Sequence, residues 1–540
     1  MPSPKPYDAL IVGGGHNGLV CACYLAAAGL KVRVLERRAV VGGAAVTEEF
    51  FPGFRNSTAS YTVSLLHPKV IRDLKLAEHG LRIIERPISN FLPLSDTQYL
   101  KIGGSLEATQ AEVARYSKRD AQQLPAYYAM LERVAGVLRS LLLETPPNIG
   151  GGLRDFVSTL KTGNRLRKLD MAARRDVLDL FAKSAADLLD SWFESEPLKA
   201  AFGFDAIVGN FASPYAPGSA YVLLHHVFGE VNGKRGVWGH AVGGMGAITQ
   251  AMAQQARDLG VEINTDCEVA KVCVDGRGAQ GVQLADGRVI DARCVVSNLN
   301  PKLLYQKLIG ESVLDADFAQ RIRNWKCSSA TFRMNVALSE LPDFTCLPGK
   351  SAQEHHQSGI IIAPSLRYME QAYFDARTLG CARAPVVEVL IPSTVDESLA
   401  PPGKHVASLF CQHFNPELPN GLNWDEIREP AADLVIDTVT RYAPNFKDAV
   451  LGRSILSPLD LEREFGMIGG DIFHGALTLD QLWSARPVLG HADYRGPIKG
   501  LYMCGAGTHP GGGVTGIPGH NAAREIIRDF KKGRLKDQSK

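Results

Sequence analysis

The stretch DALIVGGGHNGLVCACYLAAAGLKVRVLE, residues 8 to 36, decides the fold. An apolar run, ALIV, leads into glycines at positions 13, 15 and 18 in G-x-G-x-x-G spacing. A helix-like segment then runs to Gly29, and a second apolar run ends on Glu36. Strand, turn, helix and strand in this order cradle a dinucleotide. Gly13 makes the tight turn, Gly15 lets a pyrophosphate approach bare backbone, and Gly18 lets helix and strand pack closely. The helix N-terminus aims unpaired N–H groups and partial positive charge at the phosphates. Glu36 is placed to accept hydrogen bonds from an adenosine ribose and repels a 2′-phosphate. Arg37 is expected across the adenine and Arg38 on solvated surface. Gly42 and Gly43 add bare backbone near the second phosphate.

That motif fits NAD and FAD alike, and a second glycine loop separates them. Near the C-terminus, LYMCGAGTHPGGGVTGIPGH (501 to 520) is an apolar strand, a loop through Gly505, Gly507, His509 and Gly513, and a helix beginning near Gly516. A remote loop feeding a helix N-terminus suits the reach of an extended FAD, with the dipole beside the flavin edge that gains negative charge on reduction. Val269 of the middle segment joins this expected cofactor set. No further G-x-G-x-x-G unit with strand, helix and closing acid occurs, so no NAD(P)H domain is expected. Electrons should leave to oxygen, a quinone or another acceptor.

The 540 residues exceed one compact core. Lys+Arg number 59 against 57 Asp+Glu, a net charge of +2 that gives no overall bias toward nucleic acid or anionic membranes. The ten cysteines show no CxxC or zinc spacing, and no HExxH occurs, so neither a disulfide framework nor a metal site is expected. No apolar run reaches the roughly 18 residues that span a bilayer, which leaves only peripheral attachment open. MPSPKPY ahead of the first strand is too short for a signal or transit peptide, so none is expected. Oligomeric state is not legible.

The strand and helix texture of the start returns at 243 to 298 and at 500 to 529. Between these lie helix-like spacing over 107 to 143 and 171 to 202, broken by TPPNIGGG, and strand-like runs at 327 to 338, 385 to 391 and 405 to 412. The expected fold is α/β: a discontinuous Rossmann-like FAD-binding domain with foreign material inserted twice. Its FAD-binding parts fall at 1–100, 241–300 and 486–540. A helical substrate or lid region occupies 101–240, and the mixed sheet 301–485.

The pairing of IVGGGHNGLVCACYLAAAGLKVRVLERRAVVGGAA with GGMGAITQAM and LYMCGAGTHPGGGVTG resembles the phytoene-desaturase-like FAD flavoproteins. Longer phrases such as VTEEFFPGF and SWFESEPLKA extend the resemblance over nearly the whole chain. It implies an FAD-binding domain of glutathione-reductase or amine-oxidase type with an inserted substrate domain of mixed sheet and helices, and a bacterial cytoplasmic protein, or a mitochondrial one if the source is eukaryotic. It also implies an FAD-dependent oxidoreductase that dehydrogenates or isomerises a small, rather apolar organic substrate. The C-terminal loop offers no cysteine for a flavin linkage, so the FAD should be non-covalent. Flavin chemistry asks little of side chains. The catalytic candidates are His509, in the loop set against the flavin, and His226, in the apolar YVLLHHV beside His225. His474 and Arg486 join them because relatives bring that region back to the flavin. Tyr61 in RNSTASYTVSLLHP is expected to pack. The alternatives are an amine oxidase, or a partner-binding protein that retains FAD structurally.

Overall fold

A computed structural model describes residues 7–327, 329–349 and 351–535, with the side chain of His226 outside the described set. Three distant parts of the chain build the first sheet. Strand Tyr7–Val12 lies between Val32–Leu35 and Val289–Ser297, with Glu262–Asn264 beyond one and Leu501–Met503 beyond the other, all parallel. Parallel strands are buried on both faces, which is why their sequences are continuous apolar runs. Helices His16–Ala27, Gly246–Asp258 and Ile517–Lys531 cover one face through a single core that includes Leu19, Val34, Ile248 and Ile526. The other face packs on the hairpin Val269–Asp275 and Gly278–Leu284, which pairs antiparallel with the start of Val289–Ser297. The expected discontinuous dinucleotide-binding architecture is present.

A second sheet of seven strands runs in the order Val450–Leu456, Thr331–Leu338, His405–Phe414, Cys381–Leu390, Gly359–Ile362, Asn90–Pro93 and Tyr99–Ile102. It is mixed, because Gly359–Ile362 pairs parallel with Asn90–Pro93 while its other ladders are antiparallel. Here the structure corrects a boundary. The hairpin spanning 90–102 completes this sheet, so the first cofactor-binding stretch stops short of 100. Leu92 and Leu100 face the helical core, and a hairpin buries such residues only by joining a sheet that those helices cover.

The helical region contains Lys118–Leu142, Met171–Ala182, Ala185–Trp192, Glu196–Phe204 and Ala220–Val227, over a core rich in leucine and aromatic rings. One further helix, Leu153–Arg167, follows the breaker TPPNIGGG and buries none of its residues. Among the described residues no helix is long and apolar enough to cross a membrane.

Candidate functional site

The first glycine turn opens onto a cleft enclosing about 990 Å³ of empty space, mouth included. Gly13 has φ +95°, a left-handed conformation that an L side chain rarely adopts, and it turns the chain from strand into helix. A Cβ on Gly18 would collide with the carbonyl oxygen of Gly13, so this glycine serves the helix-to-strand contact. A Cβ on Gly15 would sit 2.7 Å from Nδ2 of Asn298, in space bounded by Gly15, Gly43 and Asn298, all of which line the cleft. Gly42 donates from its N–H to the carbonyl of Gly14 at 2.9 Å, which holds the VVGGAA segment on the turn.

Glu36 lies at one end, and its carboxylate accepts from the backbone N–H of Gly14 at 2.7 Å and of Arg38 at 2.9 Å. A carboxylate offers about four acceptor positions, so two stay available for ribose hydroxyls. Val269 lines the same end. Arg37 also lines it, with its guanidinium donating to the carbonyls of Arg463 and Glu464 at 2.6 and 2.7 Å. Arg38 departs from the surface reading. It pairs with Glu48 at 2.9 Å and covers the Phe465 ring at 4.7 Å, because the hairpin Thr47–Phe51 and Phe54–Ser57 folds back beneath it.

At the far end the cleft meets Asn298, Ala506, His16 and His474. Burial lowers both histidines to about 4, with His16 and Arg486 further opposing a proton on His474, so both are neutral at pH 7. Nε2 of His16 and Nδ1 of His474 are buried without a hydrogen-bond partner. Unpaired buried polar atoms are costly, and two of them facing one cleft fit a polar ligand there. The sequence reading missed His16, a variable position of the motif whose one signal was a polar side chain at the helix start. His474 was found, but as a catalytic candidate.

The C-terminal loop works differently from the expectation. Gly505, Gly507 and Gly513 do not line the cleft; their neighbour Ala506 does. A Cβ on Gly505 would stand 2.6 Å from the carbonyl oxygen of Asn298. One on Gly507 would stand 2.6 Å from Pro301, and one on Gly513 2.6 Å from Leu65. These glycines let protein approach protein. The loop still reaches the first turn, because His16 hydrogen-bonds the backbone of Gly513; at its start Cys504 N–H donates to the Ser297 carbonyl, at the end of the neighbouring strand, at 2.8 Å.

Two catalytic candidates are relocated. Arg486 is fully buried, and its guanidinium donates to the carbonyls of Ala506 (2.8 Å), Phe473 (2.9 Å), Gly475 (3.1 Å), Gln481 (3.1 Å) and Ala476 (3.3 Å). Its donors are taken up by backbone, so it staples the 473–481 segment to the glycine loop and does not reach a substrate. His509 faces away from the cleft. Its Nε2 donates to the Leu141 carbonyl at 3.2 Å, its ring meets Trp483 edge-on at 4.6 Å, and burial lowers its pKa to about 3. His226 as a site residue lies outside the described residues. Tyr61 packs as expected, stacked on Phe410 at 5.2 Å, and its hydroxyl donates to Glu388 at 2.5 Å.

His509 belongs to the wall of a second cavity, about 1430 Å³ with its mouth, between the C-terminal loop and the helical region. Leu65, Leu138, Leu142, Phe181, Phe228 and Trp483 dominate its walls. Glu230 is the one carboxylate among the described lining residues. The loop 505–516 therefore partitions the molecule, with the cleft at Ala506 and this apolar cavity at His509, Pro510 and Thr515. The described residues hold no group of His, Cys, Asp and Glu able to bind a metal ion.

Residues 18–332 match the family model described as flavin containing amine oxidoreductase. The chain is 42% identical to rat pyridine nucleotide-disulfide oxidoreductase domain-containing protein 2, over 98% of this chain and 94% of the relative. It is 27% identical to the lycopene-forming phytoene desaturase of Pseudescherichia vulneris, over 94% and 96%. Among solved structures, a putrescine oxidase superposes with a TM-score of 0.61 at 15% identity, covering 98% of this chain and 99% of that one. The disulfide in the rat protein's name has no counterpart here. All ten cysteines are free, and burial raises the thiol pKa of Cys21, whose nearest thiol partner is Cys504, and of Cys23.

Proposed function

The chain belongs to the flavin containing amine oxidoreductase family, an FAD-dependent oxidoreductase, and we propose that it dehydrogenates or isomerises an apolar organic molecule held in the leucine-rich cavity. The observation that carries this reading is the composition of that cavity, set against the same glycine loop that closes the cofactor cleft. FAD supplies a hydride acceptor at its N5 when bound. Glu36 would hold the ribose, and the Gly13 to Gly15 turn with the helix His16–Ala27 the pyrophosphate. His16, His474, Asn298 and Ala506 would hold the flavin end.

The chain's own contribution is orientation and the exclusion of water. Leucine and aromatic walls desolvate a hydrocarbon at about 25 cal/mol per Å² of apolar surface removed from water. Arg486, through its five backbone partners, fixes the segment carrying His474 against Ala506. His474 and His16 enter neutral and can donate or accept one hydrogen bond each without bringing a charge into the cleft. Dehydrogenation would remove a hydride and, from the adjacent carbon, a proton; no side chain is assigned to carry that proton, which would leave to water at the mouth of the cavity. His509, tied to Leu141, serves as cavity wall.

A second reading rests on Glu230, which could pair with a substrate ammonium and make the protein an amine oxidase. Anaerobic mixing of the yellow protein with apolar alkenes, primary amines and NAD(P)H, followed at the flavin absorbance, separates the two. Bleaching by an alkene supports the hydrocarbon reading. Bleaching by an amine, abolished in Glu230→Gln, replaces it, and bleaching by none of them favours a structural role for FAD. Reoxidation by oxygen against a quinone identifies the acceptor.

A further inference from the structure

The helix Leu153–Arg167 carries leucine or other large apolar residues at 153, 156, 157 and 160, the i, i+3, i+4, i+7 stripe that normally packs on a core. Here the stripe faces outward. Leu153 is 80% exposed, Phe156 60% and Leu160 56%. Ile149, Met171 and Leu178 are exposed nearby in the chain, so that, leaving out the cavity-facing Leu166, seven of the seventeen large exposed apolar side chains among the described residues fall within residues 149–178. A concentration of this kind marks an interaction surface, since single exposed apolar residues need no explanation.

Charge says what the surface meets. Lys161, Arg167, Lys168, Arg174 and Arg175 are exposed on and beside these helices, and none has a carboxylate partner among the described residues. The chain as a whole carries only +2, so this is a local basic cluster around an apolar stripe. We propose that this face docks on an anionic lipid bilayer, with Leu153, Phe156, Val157 and Leu160 entering the acyl boundary and the five basic side chains pairing with headgroups. A second copy of the chain fits less well, because a two-fold contact would bring identical basic clusters together.

The helix is held in a fixed attitude for such docking. Arg154 pairs with the buried Glu525 at 3.0 Å, and Arg165 with Glu144 at 3.0 Å. At 100° per residue, Thr162 and Leu166 stand on the side opposite the apolar stripe, and both line the leucine-walled cavity. One helix thus has a lipid-seeking face outside and the cavity inside. Docking stands whatever the cavity holds; the corollary that an apolar substrate reaches the cavity from the bilayer rests on the function proposed above.

Sedimentation of the flavin-loaded protein with phosphatidylcholine vesicles, with and without phosphatidylglycerol, tests the docking without turnover. Binding is expected with the anionic lipid and should weaken as salt is raised. A basic residue at the surface strengthens partition about fivefold. Lys161→Gln/Lys168→Gln/Arg175→Gln should therefore lower binding by on the order of a hundredfold, and Leu153→Ser/Phe156→Ser/Leu160→Ser by more than about tenfold. None of these six positions lines the cleft or the cavity, so flavin absorbance should be unchanged. Phe156→Trp should shift its emission to the blue on anionic vesicles. No binding to anionic vesicles, or binding indifferent to both triple variants, overturns the proposal. So does a concentration-dependent dimer that Phe156→Ser dissolves, which would give this face to a second copy. Failure here leaves the flavin-bleaching result untouched.

Discussion

The two glycine loops look alike in sequence and do opposite things. At 13 to 18, Gly13 and Gly15 line the cleft and leave backbone bare toward it. At 505 to 516, glycines 505, 507 and 513 are filled against Asn298, Pro301 and Leu65. Both sets are glycine because something comes close, and in one loop that something is the protein itself. Glycine richness reports close approach; it does not report what approaches.

Acidification strains both loops and gives the largest expected effect. His16 and His474 on the cleft side sit at about 4, and His509 on the cavity side at about 3, against about 6.5 in an unfolded chain. The unfolded chain's histidines bind more protons throughout that window, so the stability these three contribute is constant above pH 6.5 and falls as pH drops toward 4. At roughly 1.4 kcal/mol per pKa unit each histidine contributes on the order of 3 kcal/mol. Thermal midpoints from pH 8 to pH 4 should trace the fall. His474→Asn and His509→Asn should each flatten it, but only the former should alter flavin retention.

Next comes the direct contrast. Gly15→Ala puts a methyl where the proposed binding mode brings the pyrophosphate, displacing only the side-chain amide of Asn298. FAD affinity should fall about a hundredfold, the loss of one or two hydrogen bonds to a charged group, while the melting point of the FAD-free protein barely moves. Gly507→Ala should reverse the pattern. Its Cβ meets buried Pro301, so stability should drop by about 1–3 kcal/mol with FAD affinity retained in the protein that folds. Equal flavin loss in both variants would erase the distinction between the loops. The smallest effect is expected at Glu48→Gln, which breaks the partly exposed pair with Arg38 beneath the cleft. A loss below about 1 kcal/mol in denaturant titration, with the flavin spectrum unchanged, is the expected result.

Much of this was legible along the chain. The first strand, helix and strand, the return of that texture at 243 to 298 and 500 to 529, and the strands near 331, 385 and 405 follow from apolar periodicity. Glu36 was identified by its distance from Gly13. The helix Leu153–Arg167 was missed because a breaker precedes it and its apolar stripe meets no core. The hairpin at 90–102 was not read, and its residues up to 100 were counted with the FAD-binding part, because two short strands carry no mark of their partner.

What the sequence determined was local: strand and helix periods, a turn that only glycine makes, and an acid one strand away from it. Tertiary structure alone decided which way each loop turned its side chains. It put His474 beside His16 in the cleft, sent His509 into the other cavity, and used up the donors of Arg486 on backbone carbonyls. The physical reason is range. Periodicity and turn geometry are set by neighbours a few residues apart, whereas the side of a wall that a side chain faces is set by segments hundreds of residues away packing against it.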